Sequence, residues 1–214
     1  SLTSSANSEL LVYSAAGLIK PMENIAANFE KEYDIKVSLQ FNGSGVLMNQ
    51  IETVKKGDIF IAADSWYLEN LFKQKIVTEY KNIADHIPVI IVPPNNPANI
   101  NSFENILKEQ NKLILADPSA AIGKVTKEIF IKNNMYEDIK ENIIAKAETV
   151  NKVRMYILLN QAEAGIVWKA NDFKNKNELK LVEIPEEKNI IKKISAGILK
   201  YSKNQKNSKL FLEY

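Results

Sequence analysis

The feature that constrains the fold most is a strand followed by a turn of small residues and then a helix. This arrangement occurs three times in the chain. The clearest example covers residues 40–51, QFNGSGVLMNQI, where an apolar strand (residues 35–41) meets the turn NGSG (residues 42–45) and a helix follows. The first N–H groups of a helix lack intrahelical acceptors, and the helix end carries about half a positive charge. A glycine-flanked serine at that place predicts an anion site.

Another example lies near the N-terminus. The strand LLVY (residues 10–13) meets the turn SAAG (residues 14–17), and the apolar residues that follow recur at helical spacing. Pro21 stands in the first turn of that helix, where its missing N–H is not needed, so the helix is predicted to start near Gly17. If the two strands are parallel neighbours, both helix N-termini point into one crevice, the usual ligand position of open α/β sheets. The alternative is that both are ordinary strand-to-helix turns.

The third example lies further along the chain, with a strand at residues 112–116, the turn DPSAAIG at 117–123 and a helix at 124–132. The other predicted elements are strands at residues 58–63, 88–92, 164–168 and 194–199, helices at 66–72 and 207–214, and a helix capped by Thr149 or Asn151. Strands and helices thus alternate almost throughout. This order predicts an α/β fold in which helices cover both faces of a parallel or mixed sheet.

Composition excludes several classes of function. The 214 residues include 28 basic and 26 acidic side chains, and the net charge of +2 gives no case for binding nucleic acid or a membrane surface. The chain has no cysteine and one histidine, His86, which excludes thiolate catalysis, disulfides and cysteine zinc sites. His86 is predicted to be a surface or hinge residue rather than a general base. No apolar stretch has the length of about 18 to 20 residues that a transmembrane helix needs.

The chain resembles the molybdate/tungstate-binding family of ABC-transporter substrate-binding proteins in six segments, which follow one another as VYSAAGL, FNGSGVLMNQIE, GDIFIAADSWYLE, LILADPSAAIGKVTKE, AETVNKV and AEAGIVW. The likeness runs over residues 9–214. It implies a type II periplasmic binding protein fold, α/β with two lobes, in which a mixed sheet flanked by helices forms each lobe and the ligand cleft lies between them. Residues 9–84 and 195–214 are expected to form one lobe and residues 85–194 the other, while residues 1–8, SLTSSANS, are expected to be an unstructured tag or the tail left by a removed signal.

The resemblance also implies which positions contact the ligand. The implied contacts are Ala16, Gly17, Ser44, Ala121, Ile122, Val150 and Trp168. Further candidates nearby are Ser14, Gly43, Asp64, Lys124 and Asn151, and for Asp64 a helix-capping role is the stronger expectation. The sequence departs from the family pattern at Gly17, where a serine is usual, and at Trp168, where a tyrosine is usual. Gly17 offers only its backbone N–H, and Trp168 keeps one donor but no acceptor.

The function implied by the resemblance is capture of molybdate or tungstate and its delivery to an ABC permease, in the periplasm or otherwise outside the cytoplasm. The oxyanion is a bound ligand rather than a cofactor, and we expect no catalytic residues, no direct cation ligands, no nucleic-acid partner, no membrane insertion and a monomer. Two alternatives keep the fold, namely a binding protein for sulfate or phosphate and the ligand-sensing domain of a regulator. An enzyme acting on a phosphorylated or carboxylate substrate is disfavoured because the chain has a single histidine and neither a P-loop nor a GxSxG turn.

Overall fold

The computed structural model describes residues 9–170 and 179–214, so the predicted tail at residues 1–8 lies outside the described residues. The strands are β1 (Glu9–Ala15), β2 (Lys36–Asn42), β3 (Ile59–Ala62), β4 (Val77–His86), β5 (Pro88–Val92), β6 (Leu113–Ala116), β7 (Ile143–Ala147), β8 (Gly165–Trp168), β9 (Lys180–Glu183) and β10 (Lys192–Leu199). The α-helices are α1 (Ile19–Tyr33), α2 (Ser44–Val54), α3 (Ser65–Lys73), α4 (Ala121–Lys132), α5 (Val150–Leu158) and α6 (Gln205–Glu213). Short 3-10 helices lie at Ala16–Leu18, Glu104–Leu107 and Asp138–Asn142. The predicted α/β class is confirmed.

The described residues divide into two compact units. Unit 1 contains residues 9–84 together with Lys193–Tyr214, and unit 2 contains the described part of Asp85–Lys192. Each unit has its own buried apolar residues, as in a separate domain core.

Unit 1 is built on a five-stranded sheet in the order β2-β1-β3-β10-β4. Strand β1 runs parallel to both β2 and β3, whereas β10 pairs with β3 in the antiparallel direction. The central strand β3 is buried along its whole length because its residues Ile-Phe-Ile-Ala are apolar on both faces. Helix α1 buries Met22, Ala26 and Phe29, whose spacing of four and three residues places them on one face.

Unit 2 contains two smaller sheets, β8-β5-β9 and β6-β7. Strand β5 is antiparallel to both of its neighbours, and β6 is parallel to β7. A parallel bridge between Leu113 and Ala164 links the start of β6 to the segment that precedes β8. Helices α4 and α5 bury apolar residues at helical spacing, including Val125 and Ile129 in α4 and Val153 and Ile157 in α5.

The structure differs from the sequence prediction in three strands that were not predicted, β4, β7 and β9, and in the starts of the two helices α4 and α6. Strand β4 was not predicted, because it lies at the edge of its sheet and its exposed middle has no apolar alternation. Helix α4 begins at Ala121 rather than Lys124, so Gly123 lies inside the helix instead of in the turn. Helix α6 begins at Gln205, two residues before the predicted start, because Asn204 caps it by accepting a hydrogen bond from the Asn207 N–H. Across the described residues, no helix has the length and apolar character to cross a bilayer.

Candidate functional site

Two helix starts lie side by side at one edge of the unit 1 sheet. The parallel strands β1 and β2 end in register, with Ala15 opposite Asn42. The chain leaves β1 into the 3-10 helix Ala16–Leu18 and then α1, and it leaves β2 through Gly43 into α2. The two turns therefore follow neighbouring parallel strands, which is the condition for both helix N-termini to point into one crevice.

Ser44 is the first residue of α2 and is 1% exposed. Its hydroxyl accepts a hydrogen bond from the Ala63 N–H at 3.2 Å, which leaves the hydroxyl proton to be donated elsewhere. Ser44 is not the N-cap of α2, because Gly43 occupies that position and no side chain caps the helix. The first helical bond runs from the Leu47 N–H to the Gly43 carbonyl, so the Ser44 N–H precedes the helical ladder.

The other candidates in unit 1 differ in the hydrogen bonds that they already make. The Gly43 N–H is donated to the Asn42 side-chain oxygen at 2.8 Å. The Asp64 carboxylate caps α3 by accepting the Trp66 N–H at 3.0 Å, which confirms the capping role. Ser14 is buried within β1, and its hydroxyl lies 3.5 Å from the Ala15 carbonyl, a long contact for an O–H donor. Gly17 is half-buried in the 3-10 helix that follows β1.

Unit 2 repeats the arrangement with a second pair of parallel strands. Strands β6 and β7 also end in register, with Ala116 opposite Ala147. A four-residue turn, residues 117–120, leads from β6 to α4, and residues 148–149 lead from β7 to α5. Two more helix starts therefore lie next to each other at the end of a parallel strand pair.

The predicted contacts in unit 2 are the first residues of these two helices. Ala121 and Ile122 open α4, Val150 opens α5, and all three are buried. Helical bonding begins only with the Lys124 N–H to the Ala120 carbonyl in α4 and the Val153 N–H to the Thr149 carbonyl in α5. The backbone N–H groups of the predicted contacts thus precede the helical ladders.

Thr149 is the N-cap of α5, since its hydroxyl accepts the Lys152 N–H at 3.3 Å. Of the two caps that the sequence left open, the structure selects Thr149. The candidate Asn151 is the second residue of α5, and Lys124 is the fourth residue of α4; both are half-buried.

A carboxylate, Asp117, starts the turn between β6 and α4. It accepts the Ser119 N–H at 2.9 Å. This hydrogen bond lowers the pKa of Asp117, and the Ser119 hydroxyl and the charge of Lys146 act in the same direction. Asp117 and its counterpart Asn42 were not among the predicted site residues, although an Asx residue at the start of a turn is the signal for such a bond.

Trp168 and His86 form a buried stack in unit 2. Their ring centroids are 3.7 Å apart with an interplanar angle of 17°, and His86 is 0% exposed. The prediction of a surface position for His86 is therefore wrong. His86 is a polar residue at the end of an exposed strand, so the sequence offered no sign that it is buried. Its burial arises because Trp168, at the end of β8, covers the imidazole ring. Pro88, two residues after His86, pairs with Trp168 across β5 and β8, and this pairing places the Trp168 ring next to the His86 ring.

No group of three or more His, Asp or Glu side chains that could hold a metal ion occurs in residues 9–170 and 179–214. The predicted site residues instead offer backbone N–H groups, one hydroxyl and one indole. Such donors are suited to an anion.

Comparisons with known proteins give relatives along almost the whole chain. A protein of Haemophilus influenzae named only as a binding protein is 28% identical over 211 residues, covering 96% of this chain and 84% of that protein. The molybdate-binding protein ModA of Escherichia coli is 26% identical over 187 residues, covering 84% of this chain and 72% of its own length. The resemblance to molybdate-binding proteins predicted from the sequence is thereby confirmed.

Solved structures show the same fold at low sequence identity. The periplasmic molybdate-binding protein of Azotobacter vinelandii has a TM-score of 0.83 at 17% identity, covering 95% of this chain and 91% of that one. The periplasmic binding protein AfuA of Actinobacillus pleuropneumoniae, with fructose-6-phosphate bound, has a TM-score of 0.82 at 16% identity. The match covers 97% of this chain and 79% of that one.

The family model for bacterial extracellular solute-binding proteins matches residues 10–214. These matches establish the type II periplasmic binding protein fold that the sequence predicted. The chain belongs to the family of bacterial extracellular solute-binding proteins.

Proposed function

We propose that this protein captures molybdate or tungstate outside the cytoplasm and delivers the ion to an ABC permease. The observation that carries the proposal is the repeated pair of helix starts. In each unit two helices begin at the carboxyl ends of two parallel strands whose last residues are in register. The molybdate-binding relatives support the same class of ligand.

The chemistry of the ion matches this donor set. A tetrahedral dianion is costly to bury without partners, and helix N-termini can offset that cost with N–H groups and partial positive charge. Hydrogen bonds to charged groups contribute about 1.5 to 3 kcal/mol each, so about five to seven donors support sub-micromolar affinity after association costs. No lysine or arginine is required.

We assign the donors residue by residue. In unit 1 they are the Gly17 N–H and the hydroxyl and N–H of Ser44, with the backbone at Ala16 in contact. In unit 2 they are the N–H groups of Ala121, Ile122 and Val150, and the indole N–H of Trp168.

The donor set also defines which ions are rejected. Hydrogen phosphate must donate its proton, and N–H and O–H groups without an acceptor disfavour it. Sulfate accepts the same hydrogen bonds but is a smaller tetrahedron, so its exclusion depends on the width of the site. Molybdate and tungstate have nearly the same size and charge, so we expect affinities within about a hundredfold of each other, or roughly 2.7 kcal/mol.

Titration calorimetry and thermal unfolding with molybdate, tungstate, sulfate and phosphate test the proposal. A ligand that binds only the folded protein adds about 4 kcal/mol of stability at a thousandfold excess over its dissociation constant. We expect molybdate and tungstate to stabilise the protein at micromolar concentration, and sulfate and phosphate not to. Equal or larger shifts with sulfate or phosphate would reassign the ligand and leave the fold unchanged.

A further inference from the structure

Unit 2 contains a cavity of about 380 Å³ that involves none of the proposed oxyanion contacts. It lies beside α4, the β6-β7 pair and the 3-10 helix Asp138–Asn142. We call it the lysine cavity, because Lys127, Lys140 and Lys146 line it together with Tyr136. Its volume is in the range of small-molecule sites, about 300 to 1,000 Å³.

The inner wall of the lysine cavity is apolar. Leu115, Ala116 and Phe130 line it and are at most 5% exposed. Gly123 also contributes to the wall, because α4 begins directly against the end of β6. The approach is so close that a methyl group at this position would lie 2.1 Å from the Asp117 carbonyl oxygen. The wall can therefore take the ring or short chain of a ligand but offers little to a bare inorganic ion.

The rim of the lysine cavity is positively charged. The Lys127 and Lys140 ammonium groups lie 5.4 Å and 4.6 Å from the centroid of the Tyr136 ring, so both cations contact the same aromatic ring. Lys140 is paired with Glu137 at 2.8 Å. Neither Lys127 nor Lys146 forms an ion pair with any residue that the structure describes.

The acidic groups near the rim leave it with an excess of positive charge. Glu137 neutralises Lys140, and Asp117 acts electrostatically on Lys146 while accepting the Ser119 N–H. Three lysines thus face two carboxylates, and neither carboxylate belongs to the cavity lining. The charged side chains that line the cavity are therefore all lysines.

We propose that the lysine cavity binds a small organic anion, with an aromatic ring against the apolar wall and a carboxylate or phosphate held by Lys127 and Lys146. This site is separate in residues and in chemistry from the proposed oxyanion site, where the ligand has no apolar part. It does not depend on the identity of the oxyanion.

Phenyl phosphate, benzoate, inorganic phosphate and benzyl alcohol are the probes for the lysine cavity. Each is titrated into nitrogen-15-labelled protein with and without excess molybdate, and backbone amide shifts locate the binding. We expect phenyl phosphate or benzoate to shift the amide signals of Lys127, Tyr136 and Lys146, and excess molybdate to leave these shifts unchanged. The affinity of that aromatic anion should be at least about tenfold higher than the affinity of inorganic phosphate or benzyl alcohol. The tighter of the two aromatic anions identifies the anionic group.

The double variant Lys127→Gln/Lys146→Gln should weaken that binding by about tenfold or more, while the control Lys108→Gln, an exposed lysine of the same unit outside the cavity, should leave it unchanged. Both variants should melt like the parent, because all three side chains are exposed. Displacement of the aromatic anion by molybdate, equal affinity for inorganic phosphate, or unchanged binding by the double variant would each overturn the proposal.

Discussion

The two units use the same backbone device with different side chains. In unit 1 the helix that follows β2 opens with Ser44, whose hydroxyl adds a donor to the backbone N–H groups. In unit 2 the helices open with Ala121, Ile122 and Val150, which have no polar side chain. The donors that we propose at these helix starts are therefore backbone N–H groups, which ordinary side-chain truncation cannot test. The indole of Trp168 is the one side-chain donor that we propose in unit 2.

The turns that precede the helices differ as well. In unit 1 the neutral amide of Asn42 accepts the Gly43 N–H, whereas in unit 2 the carboxylate of Asp117 accepts the Ser119 N–H. The first bond is independent of pH and the second is not. In unit 2 the third residue of α4 is Gly123, which lies directly against the carbonyl oxygens of Ala116 and Asp117, whereas the third residue of α2 is Val46, whose side chain is exposed.

The largest effect is expected for Gly123→Ala. Alanine usually stabilises a helix relative to glycine by up to about 1 kcal/mol, but here its methyl group would meet the carbonyl oxygens of Ala116 and Asp117 at 2.5 and 2.1 Å. Overpacking of this kind costs about 1 to 3 kcal/mol or more, and we expect the variant to unfold at lower denaturant concentration. Unchanged or increased stability would show that α4 can move away from β6 without cost.

Ser44→Ala should have two effects. Loss of the hydroxyl donor should weaken oxyanion binding by roughly 1.5 to 3 kcal/mol, about tenfold to a hundredfold. Loss of the acceptor for the Ala63 N–H should also lower the stability of the free protein by about 1 kcal/mol. Calorimetry and thermal unfolding on the same variant measure both quantities, and a lowered melting temperature with unaltered affinity would make Ser44 a purely structural residue.

Ala121→Pro is the matching test in unit 2. Proline is well suited to the first position of a helix, and the extended conformation of Ala120, with ψ of 144°, is compatible with a following proline. The substitution removes the Ala121 N–H, so binding should weaken by roughly 1.5 to 3 kcal/mol.

Ser65→Pro, at the first position of α3 after the extended Asp64, is the control for Ala121→Pro. It removes an N–H from a helix start that is not assigned to the ion, so calorimetry should give unchanged affinity. Equal losses in the two variants, or none in either, would contradict the assignment of Ala121 as a donor.

The smallest effect is expected for the pH dependence of the two turns. Because the pKa of Asp117 is lowered in the folded protein, its hydrogen bond stabilises the turn above the ordinary aspartate pKa of about 3.9 and is lost as the pH falls through the lowered value. Protection of the Ser119 amide against hydrogen exchange, relative to its intrinsic rate, should therefore fall in acid, whereas protection of the Gly43 amide should not change with pH. Asp117→Asn keeps an acceptor and should abolish the difference.

The strand-to-helix units could be read from the sequence because they are local. The turns at residues 14–17 and 42–45 follow apolar residues at strand spacing and precede apolar residues at helical spacing. This change of spacing specifies both the end of the strand and the start of the helix. The position of Ser44 at a helix start follows from that pattern, whereas Ala121 was predicted in the turn before α4 and the cap of α5 was left open between Thr149 and Asn151. The order of the six family-like segments added the type II periplasmic binding protein fold and the expectation of an oxyanion ligand.

Only the tertiary structure decided how those local units are supported. His86 is buried because Trp168 stacks on it from a strand more than eighty residues away, and Ser44 is an acceptor because the chain after β3 passes beside it. Helix α4 could begin before Gly123 because a glycine alone fits against the end of β6. Turn chemistry and periodicity are local properties that a sequence determines directly, whereas burial, stacking and close backbone approach depend on which distant segments meet.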